Sequence, residues 1–133
     1  MNYRIVEDVN ELKLDDIVRL LRTTYWAEKR SVEKIEKSVK NSKCYGLYLD
    51  GVDSLVGFAR VITDYATNYY LCDVIIDSEH RHKGLGKALV SHIVLSDELQ
   101  GLRGILITKD AQKLYSQFGF EVVNDRVMFK NVL

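Results

Sequence analysis

The segment Val74-Ile-Ile-Asp-Ser-Glu-His-Arg-His-Lys-Gly-Leu-Gly-Lys87 concentrates the chemistry this chain can do. An apolar run passes into a turn with glycines at 84 and 86 and then directly into a helical pattern. The first turn of a helix has backbone N–H groups without intrahelical partners, and it lies at the positive end of the helix dipole. Glycine lets an anion come close to such a backbone. Arg81, Lys83 and Lys87 add positive charge around it. Arg81, His82, Lys83, Gly84, Leu85, Gly86 and Lys87 therefore read as a turn for phosphate or pyrophosphate. The other reading is a strand–helix connection whose basic residues are simply solvated.

Two better-known phosphate turns fail on residue identity. A P-loop needs GxxxxGK[ST], but Arg81 stands where its first glycine belongs and Ala88 follows Lys87. A dinucleotide fingerprint needs a third glycine, and that position is Leu89. His80 and His82 have no third ligand nearby in sequence, so no metal site is expected. Asp73 is the one charged residue in the apolar run Tyr69 to Ile76. A buried carboxylate without a partner is costly, so it needs either an ion-pair partner, such as Arg60, or a purpose. Cys44 and Cys72 do not form a CxxC pair and read as buried thiols of a reducing cytoplasm, with a disulfide left open.

Periodicity supplies the elements that must position these residues. Tyr3 to Val6 reads as a strand. Leu14, Ile17, Val18, Leu21 and Tyr25 share one helix face over 14–25. Ser31 caps a second helix whose inner face is Val32, Ile35 and Val39. Cys44 to Leu49 and Leu55 to Thr63 form a hairpin around Asp50-Gly51. Tyr69 to Ile76 reads as a central strand covered on both faces. Leu85, Ala88, Leu89 and Ile93 mark a third helix, Gly104 to Ile107 a strand, and Ala111, Leu114, Tyr115 and Phe118 a fourth helix ended by Gly119. Phe120 to Val123 and Val127 to Phe129 are expected to close the sheet. The expected architecture is α/β (α+β), a mixed central sheet with helices on both faces in the order βααβββαβαββ, as a single domain over 1–133.

Composition narrows the function. The 133 residues carry 19 Lys+Arg against 19 Asp+Glu, so no overall field favours nucleic acid. No apolar run reaches the roughly 20 residues of a membrane span, and the N-terminus lacks the apolar core of a signal peptide. A cytoplasmic protein without nucleic-acid or membrane partners is expected.

Arg81-x-x-Gly84-x-Gly86 resembles motif A of the GNAT superfamily of N-acetyltransferases, Gln/Arg-x-x-Gly-x-Gly/Ala after a buried strand. Thr108-Lys-Asp-Ala-Gln-Lys-Leu-Tyr-Ser-Gln-Phe-Gly-Phe120 is similar to motif B, matching at Ala111, Tyr115, Gly119 and Phe120, with Thr108 in place of the usual Asn. The resemblance covers essentially all of the chain. It extends to small bacterial members with Tyr25-Trp26, Arg30-Ser31, Gly57 to Val61 and Thr63-Asp64-Tyr65-Ala66-Thr67. Gln112 stands where those members often have His, so a proton-transfer role for histidine there is absent.

The resemblance implies an acetyl-CoA-dependent transfer to a primary amine of a small molecule or peptide. Val74 and Ile76 would hold the pantetheine arm by backbone hydrogen bonds, and the turn Arg81 to Lys87 would hold the pyrophosphate. Tyr115 would protonate the departing thiolate, a role that a phenol with an ordinary pKa near 10 can fill; as a core aromatic it would need no role. Asp73 is the expected proton acceptor for the amine, with the ion pair as its alternative. Tyr25, Trp26, Arg30, Asp64 and Thr67 are expected at the acceptor site, although Tyr25 and Trp26 could equally staple helices. A non-catalytic acetyl-CoA-binding or interaction module is the competing function, and a homodimer is left open.

Overall fold

A computed structural model describes residues 2–132. In chain order it contains β1 (Tyr3–Val6), α1 (Leu14–Leu21), α2 (Val32–Lys40), β2 (Lys43–Leu49), β3 (Gly57–Thr63), β4 (Asn68–Ile76), α3 (Leu85–Val94), β5 (Arg103–Leu106) and α4 (Gln112–Ser116). The strands lie side by side in the order β1-β2-β3-β4-β5. Every pair is antiparallel except β4 with β5, which is parallel. The mixed sheet with helices on both faces is the expected one.

Strand alternation builds two cores, one on each face of this sheet. Tyr45, Leu47, Ala59, Val61, Tyr69 and Leu71 face α3, meeting Leu85, Leu89, Val90 and Ile93. Cys44, Tyr48, Phe58 and Ile75 face α1 and α2, meeting Ile17, Leu20, Leu21, Ile35 and Val39. The Ser31 side chain accepts the Lys34 N–H at 3.1 Å, the expected cap of α2.

Helix α1 stops at Leu21, short of Tyr25. The hydroxyls of Thr23 and Thr24 donate back to the carbonyls of Leu20 and Leu21 at 2.6 and 2.8 Å, a local bonding pattern that competes with helix continuation. Tyr25 and Trp26 are thereby released into the α1–α2 loop. The Arg22 guanidinium ties that loop down by donating to the carbonyls of Glu28 and Arg30.

The closing strands do not form. Residues 120–132 contain no strand, and 121–132 are exposed throughout. The apolar pattern of 120–129 is right for strands, but a strand needs an edge to pair with, and residues 121–132 make no backbone hydrogen bond to one among the described residues. Gly119 does take the expected left-handed conformation, with φ 88°.

The detail that most shapes the site is a bulge in β4. Phe58 pairs with Ile75 and Arg60 with Cys72, so Asp73 and Val74 together oppose Ala59. Asp73 adopts φ 54°, in the left-handed region, at a cost of about 1–3 kcal/mol. Uninterrupted alternation would place residue 73 with Tyr69 and Leu71 on the α3 face. The bulge turns it to the α1/α2 face, beside Arg60. There its carboxylate is 1% exposed and accepts from Arg30 Nη1 at 2.8 Å, Arg60 Nε at 3.0 Å and Trp26 Nε1 at 3.0 Å.

Burial alone would push the Asp73 carboxyl up. The Arg30 hydrogen bond and the charges of Arg60 and Arg30 outweigh that and hold it below the ordinary carboxylate value. A depressed pKa contributes stability above the unfolded value, near 3.9, and the contribution is lost as pH falls through the lower folded value. Asp73→Asn should therefore destabilise the protein by about 3–5 kcal/mol at pH 7, because it leaves the Arg60 guanidinium buried without its counter-charge. In denaturant titrations the gap between the two proteins should narrow below about pH 4. A gap that stays constant down to pH about 2 would show that this carboxylate carries no folding free energy.

Candidate active site

The parallel pairing of β4 with β5 ends at Leu71 and Leu106. Beyond it, β4 continues from Cys72 to Ile76 with no strand on that side. The sheet thus opens into a wedge whose one wall is a bare strand edge. Helix α4 follows β5 and brings Tyr115 to the opposite wall, because a short loop is all that separates them. Thr108 starts that turn by accepting the Ala111 N–H on its hydroxyl at 3.0 Å, so it fills the capping role open to the Asn it replaces.

Two cavities meet in the wedge. The larger, about 760 Å³, runs along the β4 edge to the glycine turn and is lined by Val74, Ile76, Arg81, His82, Gly84 and Gly86. The smaller, about 360 Å³, lies on the other side and is lined by Arg30, Arg60, Tyr70, Cys72, Asp73 and Thr108. Both are bounded by Tyr25, Trp26, Val74, Asp110, Ala111 and Tyr115. A group reaching in from the turn and a group entering from the smaller cavity would meet at these six residues.

The turn has the openness an anion needs. His82 and Gly84 are left-handed, at φ 64° and 80°, and α3 begins at Leu85. A Cβ built on Gly84 meets nothing within 4 Å, and one on Gly86 meets only Ile76 Cγ1, at 3.8 Å. The backbone surface at the start of α3 is therefore uncovered. Arg81 Nε donates to the Ile76 carbonyl at 3.1 Å and pins the turn to the end of β4. Leu85 is buried in the core and offers only its backbone. Lys83 and Lys87 are exposed and stand outside the lining of the cleft.

Tyr115 is 8% exposed and its ring packs edge-on against Phe120. Burial, reinforced by the Asp110 charge, pushes its phenol up to about 12. It therefore stays protonated across the whole useful pH range and keeps an O–H to donate. Asp73 has both carboxylate oxygens engaged by donors, which is the geometry of the ion-pair alternative; one donor, Arg60, is the expected partner and another, Arg30, comes from the α1–α2 loop. Tyr25 and Trp26 stand edge to face at 5.0 Å, and Lys109 Nζ lies 4.9 Å from the Tyr25 ring centroid.

Asp64 and Thr67 are not brought to either cavity. They build their own turn. The Asp64 carboxylate accepts the backbone N–H groups of Thr67 and Ala66 at 2.8 and 2.9 Å and the Thr67 hydroxyl at 2.8 Å. Those bonds pull its carboxyl down to about 2. Tyr70, Cys72 and Asp110 line the smaller cavity without having been singled out by sequence. Tyr70 and Cys72 share the face of the strand opposite to Leu71, and that alternation was the available signal. Cys44 and Cys72 are both free thiols, each pushed up to about 11, chiefly by burial.

Comparison with known proteins places this geometry. The model of the GNAT acetyltransferase domain matches residues 40–122, more than half of the chain. The crystal structure of a GNAT-family protein from Xanthomonas campestris pv. campestris is 36% identical and superimposes with a TM-score of 0.91, covering 99% of this chain and 94% of that one. GCN5-related N-acetyltransferase 2, chloroplastic, from Arabidopsis thaliana is 38% identical over 69 residues, 50% of this chain and 27% of that protein. Histone acetyltransferase TAP1 from Glycine max is 29% identical over 105 residues, 70% of this chain and 46% of that protein. The chain thus spans between about a quarter and a half of the length of these two curated relatives. A GNAT acetyltransferase from Elizabethkingia anophelis, solved with acetyl-CoA bound, shares the fold with a TM-score of 0.71 at 14% identity, covering 92% of this chain and 78% of that one. No helix among the described residues is long and apolar enough to cross a membrane. The bulged fourth strand, the open wedge beside it and the glycine turn at its end are features of a chain that belongs to the GNAT acetyltransferase family.

Proposed function

We propose that this chain is an acetyl-CoA-dependent N-acetyltransferase that moves the acetyl group directly from the thioester to a primary amine of a small molecule or peptide. The observation that carries this reading is the meeting of two cavities at Tyr115 and Val74, one ending on an anion turn and the other on a polar chamber. The N–H groups between Arg81 and Lys87 hold the pyrophosphate at the positive end of α3. The bare edge of β4, at Val74 and Ile76, binds the pantetheine amides as an added strand would. The thioester so held supplies an electrophilic carbonyl carbon at the junction. Tyr25, Trp26 and Arg30 form the wall that orients the amine.

The amine attacks, the C–S bond breaks, and the sulfur leaves with a negative charge. Tyr115 answers that charge with a hydrogen bond. Complete proton transfer from a phenol near 12 to a thiolate whose thiol has a pKa near 8.5 would be uphill by ~5 kcal/mol, so the hydrogen bond is the larger contribution. The nucleophile must first be neutral, and an alkylamine of pKa about 10.4 is neutral at pH 7 in roughly one molecule in 2,500, a penalty of ~4.6 kcal/mol. Asp73 is a poor acceptor for that proton because its pKa is depressed and its oxygens are occupied. Its part is to position Trp26 and Arg30, and the proton leaves to water in the open cavity.

Two variants test the two halves of the site. Gly86→Val extends methyl groups from a Cβ that already sits in ordinary contact, over the surface where the pyrophosphate belongs. CoA affinity measured by calorimetry should fall at least about tenfold, ~1.4 kcal/mol, with the melting temperature little changed. Normal CoA binding by this variant would put the anion elsewhere.

Tyr115→Phe keeps the ring packing and removes the hydroxyl. Turnover, read as free-thiol release across a panel of polyamines, amino acids and peptides, should drop roughly 100-fold while CoA affinity holds. The wild-type rate should climb with pH toward the amine's own pKa, with no falling limb from Tyr115 below about pH 11. Tight CoA binding with no turnover on any amine in the panel would turn the reading into that of a binding module.

A further inference from the structure

The smaller cavity, about 360 Å³, carries a charge imbalance that acetyl transfer by itself does not use. Arg60 and Arg30 both bind the single carboxylate of Asp73, at 3.0 and 2.8 Å. Two guanidiniums against one carboxylate leave one positive charge over, and a guanidinium does not shed its proton in a protein. The Arg60 side chain is only 10% exposed, so that charge is poorly hydrated.

Donors are left over as well. Arg60 Nε serves Asp73, and Nη1 serves the Ser42 hydroxyl at 3.0 Å. Nη2 has no acceptor among the described residues. The one sealed side-chain polar atom without a partner among them is the Tyr45 hydroxyl, so Nη2 opens on space rather than on packing. The space that Arg60 lines is this cavity. Arg30 commits only Nη1 and keeps Nε and Nη2 free. Thr108 already accepts the Ala111 N–H, which leaves its O–H to donate into the same chamber. The remaining charged lining residue, Asp110, is exposed and stands at the junction with the larger cavity. Tyr25 stands there too, and the Lys109 ammonium lies 4.9 Å from its ring centroid, so this ring is placed to attract cations. Idle donors and positive charge thus line the chamber, and the groups that suit an ammonium stand at its junction.

We propose that the acceptor amine carries its own carboxylate: the substrate class is the free amino acid, held through its carboxylate by Arg60 and Arg30 with its amine at the junction. The planar fork of a guanidinium matches a carboxylate in two parallel hydrogen bonds. A monoanion balances the single charge left over. A dianionic phosphate would exceed it, and a polyamine would set a second ammonium against it. In the transfer, the N–C bond forms and the C–S bond breaks. The ammonium's first proton goes to water, a second from the attacking nitrogen balances the thiolate, and the products are an N-acetyl amino acid and CoA as its thiol. Arg30 and Arg60 set specificity here and take no part in bond making. Acetylation of the amine rests on the function proposed above; the carboxylate subsite does not.

Matched acceptors test this on the full chain: glycine, alanine, lysine and phenylalanine against their carboxamides, with aminoalkyl phosphates and polyamines alongside. The carboxamide's amine is the less basic of each pair, so it is neutral more often and would react faster if the carboxylate contributed nothing. At least one amino acid should exceed its carboxamide in kcat/KM by about 10- to 100-fold. Arg30→Gln leaves Arg60 and Asp73 as a neutral pair and should bring that ratio down to about threefold or less. The Arg30 side chain is 26% exposed, so the variant should fold; CoA binding checks this, and the wild-type comparison stands without it. Carboxamides or polyamines that match or exceed every amino acid overturn the proposal. So does an acid preference that Arg30→Gln leaves intact, and so does an aminoalkyl phosphate faster than every amino acid. If nothing turns over, calorimetry on the CoA-loaded protein decides. An amino acid bound about tenfold or more tightly than its carboxamide upholds the subsite and sinks the acetyltransferase reading, and equal binding sinks both.

Discussion

The buried carboxylate of Asp73 is the constraint on which the rest of the site depends. A strand in the middle of a two-sided core has no water to offer a charge, so Asp73 must bring in donors or remain uncharged. It brings in one from the neighbouring strand, Arg60, and two from the α1–α2 loop, Trp26 and Arg30. To reach them it accepts a left-handed backbone, and the bulge that results reverses the facing of every later residue in β4. Val74 and Ile76 consequently point toward the α3 side and Ile75 toward α1 and α2. One ion pair thereby sets the register of the edge that ends in the glycine turn and anchors the loop that walls the smaller cavity.

That coupling explains why a depressed pKa belongs at this position. A carboxylate poised to accept a proton would weaken its bonds to Arg30 and Arg60 at the moment of transfer, and the loop would loosen with the chemistry under way. Holding the proton affinity low keeps the scaffold charged and rigid through turnover. In the proposed reaction deprotonation of the amine is then left to solvent, which reaches the smaller cavity past the exposed Tyr25, Trp26 and Asp110. Tyr115 shows the complementary arrangement. Its burial raises its pKa, and in the proposed reaction it would meet the developing charge as a protonated donor at the junction of the two cavities.

What the sequence made legible follows the range of the forces involved. The glycine turn is local: Gly84 and Gly86, the basic residues and the start of α3 lie within a few residues, and their conformation is set by their neighbours. The helix faces and the capping Ser31 are equally local. Asp73 was conspicuous as a lone charge, but its facing was not legible, because alternation predicts the wrong side until the bulge is known. The pairing with Arg30 spans 43 positions and leaves no periodic trace. Asp64 and Thr67 had the composition of a binding loop and turned out to satisfy each other, an Asx-type turn that consumes the polar groups it displays.

The segment after Phe120 is the case where propensity and context part. Val122, Val123, Val127 and Phe129 have the side chains of strand residues, and the expectation that they close the sheet was sound as far as propensity goes. Strand formation is a pairwise event, however, and its free energy comes from the partner edge and the neighbours across it. The outer edge of β5 is unpaired, and residues 121–132 make no backbone hydrogen bond to it among the described residues. Phe120 packs edge-on to Tyr115, and its ring fills the space that a Cβ on Gly104 of β5 would need. Residues 121–132 carry the propensity, but without a backbone hydrogen bond to an edge that propensity has nothing to act on.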